Sequence, residues 1–207
     1  MILALEFSSN RRSVAIAEGK DVLVCVETDD IKKPPLTLID EALKKINLSP
    51  AAIETIAVGT GPGSYTGIRN AIATAQGWQL ARNINLLAIP SAETLAATAA
   101  AKGQRGETHF LINAQRHEYY HTTWNLTEDN QSQNTPLHII TVITAAELKA
   151  FGPDAAGFPS CEPLFPDAAI LAQLAADRTD FQSGETIEPI YLRPIEFTKV
   201  PPLRQLD

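Results

Sequence analysis

The chain has 207 residues, of which 44% are hydrophobic and 20% charged, and its formal net charge is −7. That length builds one large domain or two small ones around a sizeable core, and the balance is that of an ordinary globular chain. The acidic excess argues against a protein that grips a nucleic-acid backbone by itself, and no apolar run approaches the roughly 20 residues that span a bilayer. The opening Met1-Ile2-Leu3-Ala4-Leu5-Glu6 carries no basic leader before an apolar stretch, so no signal peptide is expected. Cys25 and Cys161 have no partner at metal-ligand spacing and read as reduced thiols of a cytoplasmic protein. The basic pairs Arg11-Arg12, Lys32-Lys33 and Lys44-Lys45 are scattered and read as solvated surface charge.

In chain order, the apolar run from Ile2 to Phe7 predicts a buried strand, and Ser8-Ser9-Asn10 a turn. Strands over 13–17 and 22–28 follow, separated by Glu18-Gly19-Lys20-Asp21, which makes an antiparallel meander. Pro34-Pro35 break the chain ahead of a helix over 36–46, whose stripe is Leu36, Ile39, Leu43 and Ile46. Ser49 caps a short turn of helix with Pro50 in first position. A buried strand over 55–59 leads into a glycine-rich loop over 59–67 and a helix over 66–82. A strand over 84–89 precedes the alanine-rich helix 92–101, with Ser91 as its expected cap. Lys102-Gly103-Gln104-Arg105-Gly106 is the candidate boundary between halves, giving units 1–103 and 104–207. Beyond it the pattern predicts strands over 108–113, 118–126 and 138–143, with a polar loop over 128–134. Thr144 is expected to cap a helix over 145–150, the Gly- and Pro-rich stretch 152–166 to be loop, 168–177 to be helix, and the Pro-rich tail 189–202 to be irregular. This order predicts two similar α/β halves packed side by side.

The most informative segment is Gly59-Thr60-Gly61-Pro62-Gly63-Ser64-Tyr65-Thr66-Gly67-Ile68-Arg69, which joins a strand to a helix. Glycines permit positive φ and close backbone approach, and amides at a helix N-terminus favour anions. The segment is therefore either a phosphate or carboxylate cradle or a tight strand-to-helix turn. Its spacing is neither that of the P-loop nor of the dinucleotide fingerprint.

Gly61-Pro62-Gly63-Ser64-Tyr65-Thr66-Gly67-Ile68-Arg69 resembles the GPGS-aromatic-TG-x-R segment of the TsaB family and, more loosely, of its paralogue TsaD. Three further stretches are similar in the same order: Leu3 to Ser9 with Ser13-Val14-Ala15; Asn113-Ala114-Gln115-Arg116-His117-Glu118-Tyr119-Tyr120; and Pro189-Ile190-Tyr191-Leu192-Arg193. The resemblance implies an actin-like (ribonuclease H-like) ATPase fold of two βββαβα halves. It also implies a part in making N6-threonylcarbamoyl-adenosine in tRNA, as a non-catalytic subunit with no catalytic residues and no resident metal or cofactor. Its implied partners are a TsaD-like catalytic subunit and a TsaE-like ATPase, with tRNA reached only indirectly. A homodimer through the same helices is the other association to weigh. The partner face would be drawn from Leu36, Ile39, Asp40 and Leu43 on the first helix and Ile68, Ala71, Ile72, Ala75, Trp78 and Gln79 on the second; the competing reading places these apolar residues in the protein's own core. The first helix lacks the histidine pair that holds the catalytic paralogue's metal.

The alternative is an actin-like ATPase or kinase that binds ATP or ADP with Mg²⁺ itself, or at the interface with its partner, around Glu6, Ser8, Ser9, Gly61, Gly63 and Ser64. Three departures weaken it: Glu6-Phe7 stand where the family has Asp-Thr, Asn113 stands where an aspartate is usual, and Lys33-Pro34-Pro35 replace a histidine-serine pair.

His117-Glu118-Tyr119-Tyr120-His121 spells the zinc-protease motif H-E-x-x-H. On a helix its histidines would share one face, with Glu118 as general base. Tyr119, Tyr120, Thr122, Thr123 and Trp124 predict a strand instead. Residues four apart then lie about 13 Å from each other, too far for two zinc–nitrogen bonds near 2 Å. His109 and His138 are the remaining histidines.

Overall fold

The structure, a computed structural model, describes residues 1–128 and 130–192. It holds two five-stranded mixed sheets. The first contains β1 (Ile2–Glu6), β2 (Arg12–Glu18), β3 (Asp21–Thr28), β4 (Thr55–Gly59) and β5 (Asn85–Ile89), in the order β3-β2-β1-β4-β5. The second contains β6 (Gly106–Asn113), β7 (Glu118–Leu126), β8 (Gln131–Thr141), β9 (Ala150–Gly152) and β10 (Glu162–Pro163), in the order β10-β9-β6-β7-β8. In each sheet the first three strands form an antiparallel meander, and the last two add in parallel beside the first. The same plan is thus used twice, as in the actin-like fold.

The helices are α1 (Pro35–Lys45), α2 (Tyr65–Arg82), α3 (Ser91–Ala101), α4 (Val142–Ala146) and α5 (Ala168–Ala176). None among the described residues is long and apolar enough to cross a membrane. Alternation along the first sheet sorts its side chains by size. Leu3, Leu5, Phe7, Val14, Ile16, Ile56 and Val58 face one core, which α1 and α2 cover. Ala4, Ala15, Ala17 and Ala57 face the other way and form a floor of small residues on which α5 rests through Ala168, Leu171, Ala172 and Ala175. The second sheet packs Phe110, Ile112, Tyr120, Trp124 and Leu126 against Ala92, Leu95, Ala96 and Ala99 of α3. Each sheet is therefore covered on one face by a helix from the opposite half.

Several local expectations are corrected. On α1 the buried positions are Leu38, Ile39, Ala42 and Leu43, so the stripe is rotated and Leu36 is left 61% exposed. Pro90, not Ser91, stands at the N-cap of α3, and Ser91 begins the helix with its hydroxyl engaged elsewhere. The 128–134 stretch is not wholly loop, since β8 starts at Gln131. The helix expected over 145–150 sits earlier, at Val142–Ala146, capped by Thr141, whose hydroxyl accepts from the Thr144 amide. The 152–166 stretch, expected to be loop, holds the end of β9 and all of β10. Gly152 looks like loop in sequence, yet a Cβ there would overlap the Leu111 carbonyl oxygen, so glycine is what lets β9 lie this close. Arg193, which ends the similar C-terminal stretch, and the tail beyond it lie outside the described residues.

Candidate functional site

The glycine-rich loop folds back on the end of β1. A Cβ at Gly63 would overlap the Ser8 carbonyl oxygen, one at Gly67 that of Phe7, and one at Gly59 the Glu6 carboxylate. Gly63 also has φ 147°, and Gly61 has φ 97°, conformations that glycine adopts without strain. The Ser64 amide donates to the Ser8 carbonyl (2.6 Å), and the Ser64 hydroxyl accepts from the Gly67 amide to cap α2. These glycines serve backbone packing.

Glu6 lies under this loop and is fully buried. Its carboxylate accepts from the Ser8 amide (2.9 Å) and from the Ser91 hydroxyl (3.0 and 3.2 Å), while Ser91 Oγ accepts from the Gly61 amide (3.0 Å). Burial raises the carboxyl pKa above its ordinary value against the opposing pull of these donors. One side chain thus ties together the ends of β1 and β4 and the start of α3. Ser91 was expected to cap its own helix; nothing in a lone Ser before an alanine run signals that its hydroxyl turns to Glu6.

A cleft of about 540 Å³ opens between the halves. Of the six residues expected around a nucleotide, Ser8, Ser9, Gly63 and Ser64 line it, whereas Glu6 and Gly61 do not. Arg12, Lys32, Asn113, Gln115 and Asp154 are among the other residues of its wall. Arg12 was expected to be solvated, yet it is only 4% exposed. Its guanidinium lies 5.6 Å from the Phe7 ring centre, and its Nε has no hydrogen-bond partner among the described residues. Desolvation lowers its pKa.

A second concavity, of about 560 Å³, runs between α1 and α2. Its walls are Pro34, Pro35 and Leu36 on one side and Asn70, Ala73, Thr74, Gly77 and Trp78 on the other. The ten residues expected on a partner face divide sharply. Ile39, Leu43, Ile68, Ala71, Ile72 and Ala75 are buried in the protein's own core, where no partner can reach them while the fold is kept. Gln79 is engaged internally, donating to the Ile84 and Gln182 carbonyls and accepting from the Gly184 amide. Leu36, Asp40 and Trp78 remain at least partly at the surface, with Asp40 paired to Lys44. The sequence did carry a signal for the open face: Ala73 and Gly77, four apart, present small residues beside Trp78.

The H-E-x-x-H stretch is not helical. His117 sits in a turn with φ 61°, and Glu118 begins β7. His121, well inside β7, points to His109 on β6 and His138 on β8. Elsewhere, Cys25, Glu27 and Asp167 place ligand atoms within 4.8 Å of one another. Burial and the neighbouring Asp167 and Glu27 push the Cys25 thiol up to about 12.

A family model described as TsaD, tRNA N6-adenosine threonylcarbamoyltransferase, matches residues 34–149. The tRNA threonylcarbamoyladenosine biosynthesis protein TsaB of Haemophilus influenzae is 29% identical over 122 residues, 58% of this chain and 51% of that protein. TsaB of Buchnera aphidicola subsp. Schizaphis graminum is 28% identical over 124 residues, 58% of each. The chain spans about half the length of these curated relatives. Among solved structures, YeaZ from Pseudomonas aeruginosa superposes with a TM-score of 0.80 at 23% identity, covering 92% of this chain and 99% of that one; it has the same fold.

Proposed function

The chain belongs to the TsaD family, on its TsaB/YeaZ side, and from that premise we propose that it works in tRNA threonylcarbamoyladenosine biosynthesis as a non-catalytic subunit. Its partner is a TsaD-like catalytic subunit, seated on the α1–α2 groove. The observation that carries this reading is that groove: an apolar concavity floored by small residues and edged by an exposed Leu36 and a half-buried Trp78. Small residues let a partner helix approach closely, and tryptophan is a common interface anchor. A TsaE-like ATPase then joins the pair in the cytoplasm, and the net charge of −7 fits a chain that meets tRNA only through its partner.

The test is co-purification with the TsaD of the same organism. Ala73→Arg changes an exposed position and should leave the fold intact, whereas Trp78 also packs against the core, so its variant is read only where circular dichroism shows it folded; Trp78→Glu should then weaken the complex about 30-fold, as loss of an anchor worth about 2 kcal/mol. Wild type that forms no complex, or variants that bind undiminished, would overturn the assignment of this face. A concentration-dependent dimer of the chain alone, abolished by the same changes, would assign the groove to a second copy.

The cleft supports a second reading, in which Arg12, Lys32, Ser8 and Ser64 hold the anionic end of a nucleotide. Isothermal titration with ATP·Mg²⁺ tests it: binding lost on Lys32→Ala supports it, and silence at millimolar nucleotide removes it.

A further inference from the structure

His121 and His138 stand directly opposite each other on antiparallel β7 and β8, the placement that brings cross-strand Cβ atoms closest. Their rings continue a row that starts at His109. His109 Nδ1 is 3.0 Å from His121 Nε2, His121 Nδ1 is 3.3 Å from His138 Nε2, and His138 Nδ1 is 3.0 Å from the Pro136 carbonyl oxygen. A carbonyl only accepts, so His138 Nδ1 carries a proton and the neutral ring leaves a lone pair on Nε2. In the free chain the row therefore donates in one direction, with His109 giving to His121 and His121 to His138.

We infer that His121 Nδ1 and His138 Nε2 form a seat for one late first-row divalent cation. Neutral imidazole is a ligand of choice for copper, nickel and zinc, and copper(II) should bind most tightly in the usual order. Two metal–nitrogen bonds of about 2.05 Å across the 3.3 Å gap subtend about 107° at the metal, close to a tetrahedral angle. Water completes the shell, because His138 is exposed on β8, the outer strand of its sheet.

The surroundings suit the bound state. His138 keeps its Nδ1–H on the Pro136 carbonyl, the second bond that orients a metal-bound histidine. His121 moves its proton from Nδ1 to Nε2 and donates to His109 Nδ1, and His109 in turn carries its proton on Nε2, 4.0 Å from the Glu107 carboxylate. Each ring holds one proton before and after, so no charge is created in the row. The cation would also fasten β8 to β7 where their pairing shifts register, next to His121.

The experiment titrates the full chain, freed of any histidine tag, with copper(II) and with zinc(II), by calorimetry and, for copper, by electron paramagnetic resonance. One copper per chain with nitrogen coupling from two imidazoles is expected, with a higher melting temperature because the ion binds only the folded state. His138→Ala, at an exposed site, should abolish stoichiometric binding. His109→Ala should weaken it about tenfold, and His117→Ala should leave it unchanged. Absence of stoichiometric binding, binding that survives His138→Ala, or binding that needs His117 would overturn the seat.

Discussion

Glu6 and Asn113 occupy the same place in the two halves, each the last residue of the first strand of its meander. Each side chain accepts from the backbone amide two residues on: Glu6 from Ser8, Asn113 from Gln115. The turns that follow both reach the cleft, yet they are stabilised in opposite ways. The first is roofed by the glycine-rich loop and anchored by a buried carboxylate. Among the described residues the second has no such roof: Asn113 is half-buried, its backbone amide donates to Asp154, and Gln115, Arg116 and His117 all hold positive φ, at 64°, 55° and 61°. The difference teaches that one topology can close a turn by packing or tolerate it as strain.

The sharpest way to break the comparison is Gly67→Ala. The added methyl must displace the Phe7 backbone, and overpacking against backbone should cost about 3 kcal/mol. Gly77→Ala, in the same helix but facing open space, should instead stabilise by about 0.5–1 kcal/mol. Urea denaturation of the two variants reads both, and equal effects would mean that Gly67 does not hold the loop against β1.

Next in size is Glu6→Ala, which leaves the Ser8 amide and the Ser91 hydroxyl unpaired inside the protein and should cost about 3 kcal/mol. Asn113→Ala, at the matching half-buried site, should cost about 1 kcal/mol. Glu6 also carries a pH signature. Its folded pKa is raised, so its contribution is fully present below the unfolded value of 4.5 and is lost as pH rises through the folded value. Glu6→Gln should therefore flatten the fall in stability above pH 4.5, and an unchanged slope would show that the carboxyl does not titrate differently on folding.

These features were unequally legible in the sequence. The meander, β4, β7 and the turn capped by Ser49 follow from local pattern, because apolar alternation and capping are encoded within a few residues. Spacing alone fits Leu36 to the stripe of α1 equally well; only the neighbouring sheet decides that Leu38 and Ala42 go inward. The short strands β9 and β10 carry too few residues to show a period. The bond of Ser91 to Glu6 spans 85 positions, and the histidine row joins three strands. In each case the partner is chosen by the fold, so a motif read along the chain, as with H-E-x-x-H, names His121 but neither of the histidines that the fold brings to it.

The smallest expected effect lies in the strained turn. Left-handed backbone costs a residue with a Cβ about 1–2 kcal/mol, while glycine adds flexibility to the unfolded chain that offsets part of any relief. Arg116→Gly, at φ 55°, should therefore stabilise by up to about 1 kcal/mol. The same change at Ser8, in the roofed turn, removes a buried hydroxyl and has no such strain to relieve, so it should destabilise. Thermal melts of the two glycine variants read against wild type measure the contrast directly. A stabilised Arg116→Gly beside a destabilised Ser8→Gly would place the strain in the second turn, whereas two destabilised variants would mean that the left-handed run is held by contacts strong enough to make it the preferred backbone of that loop.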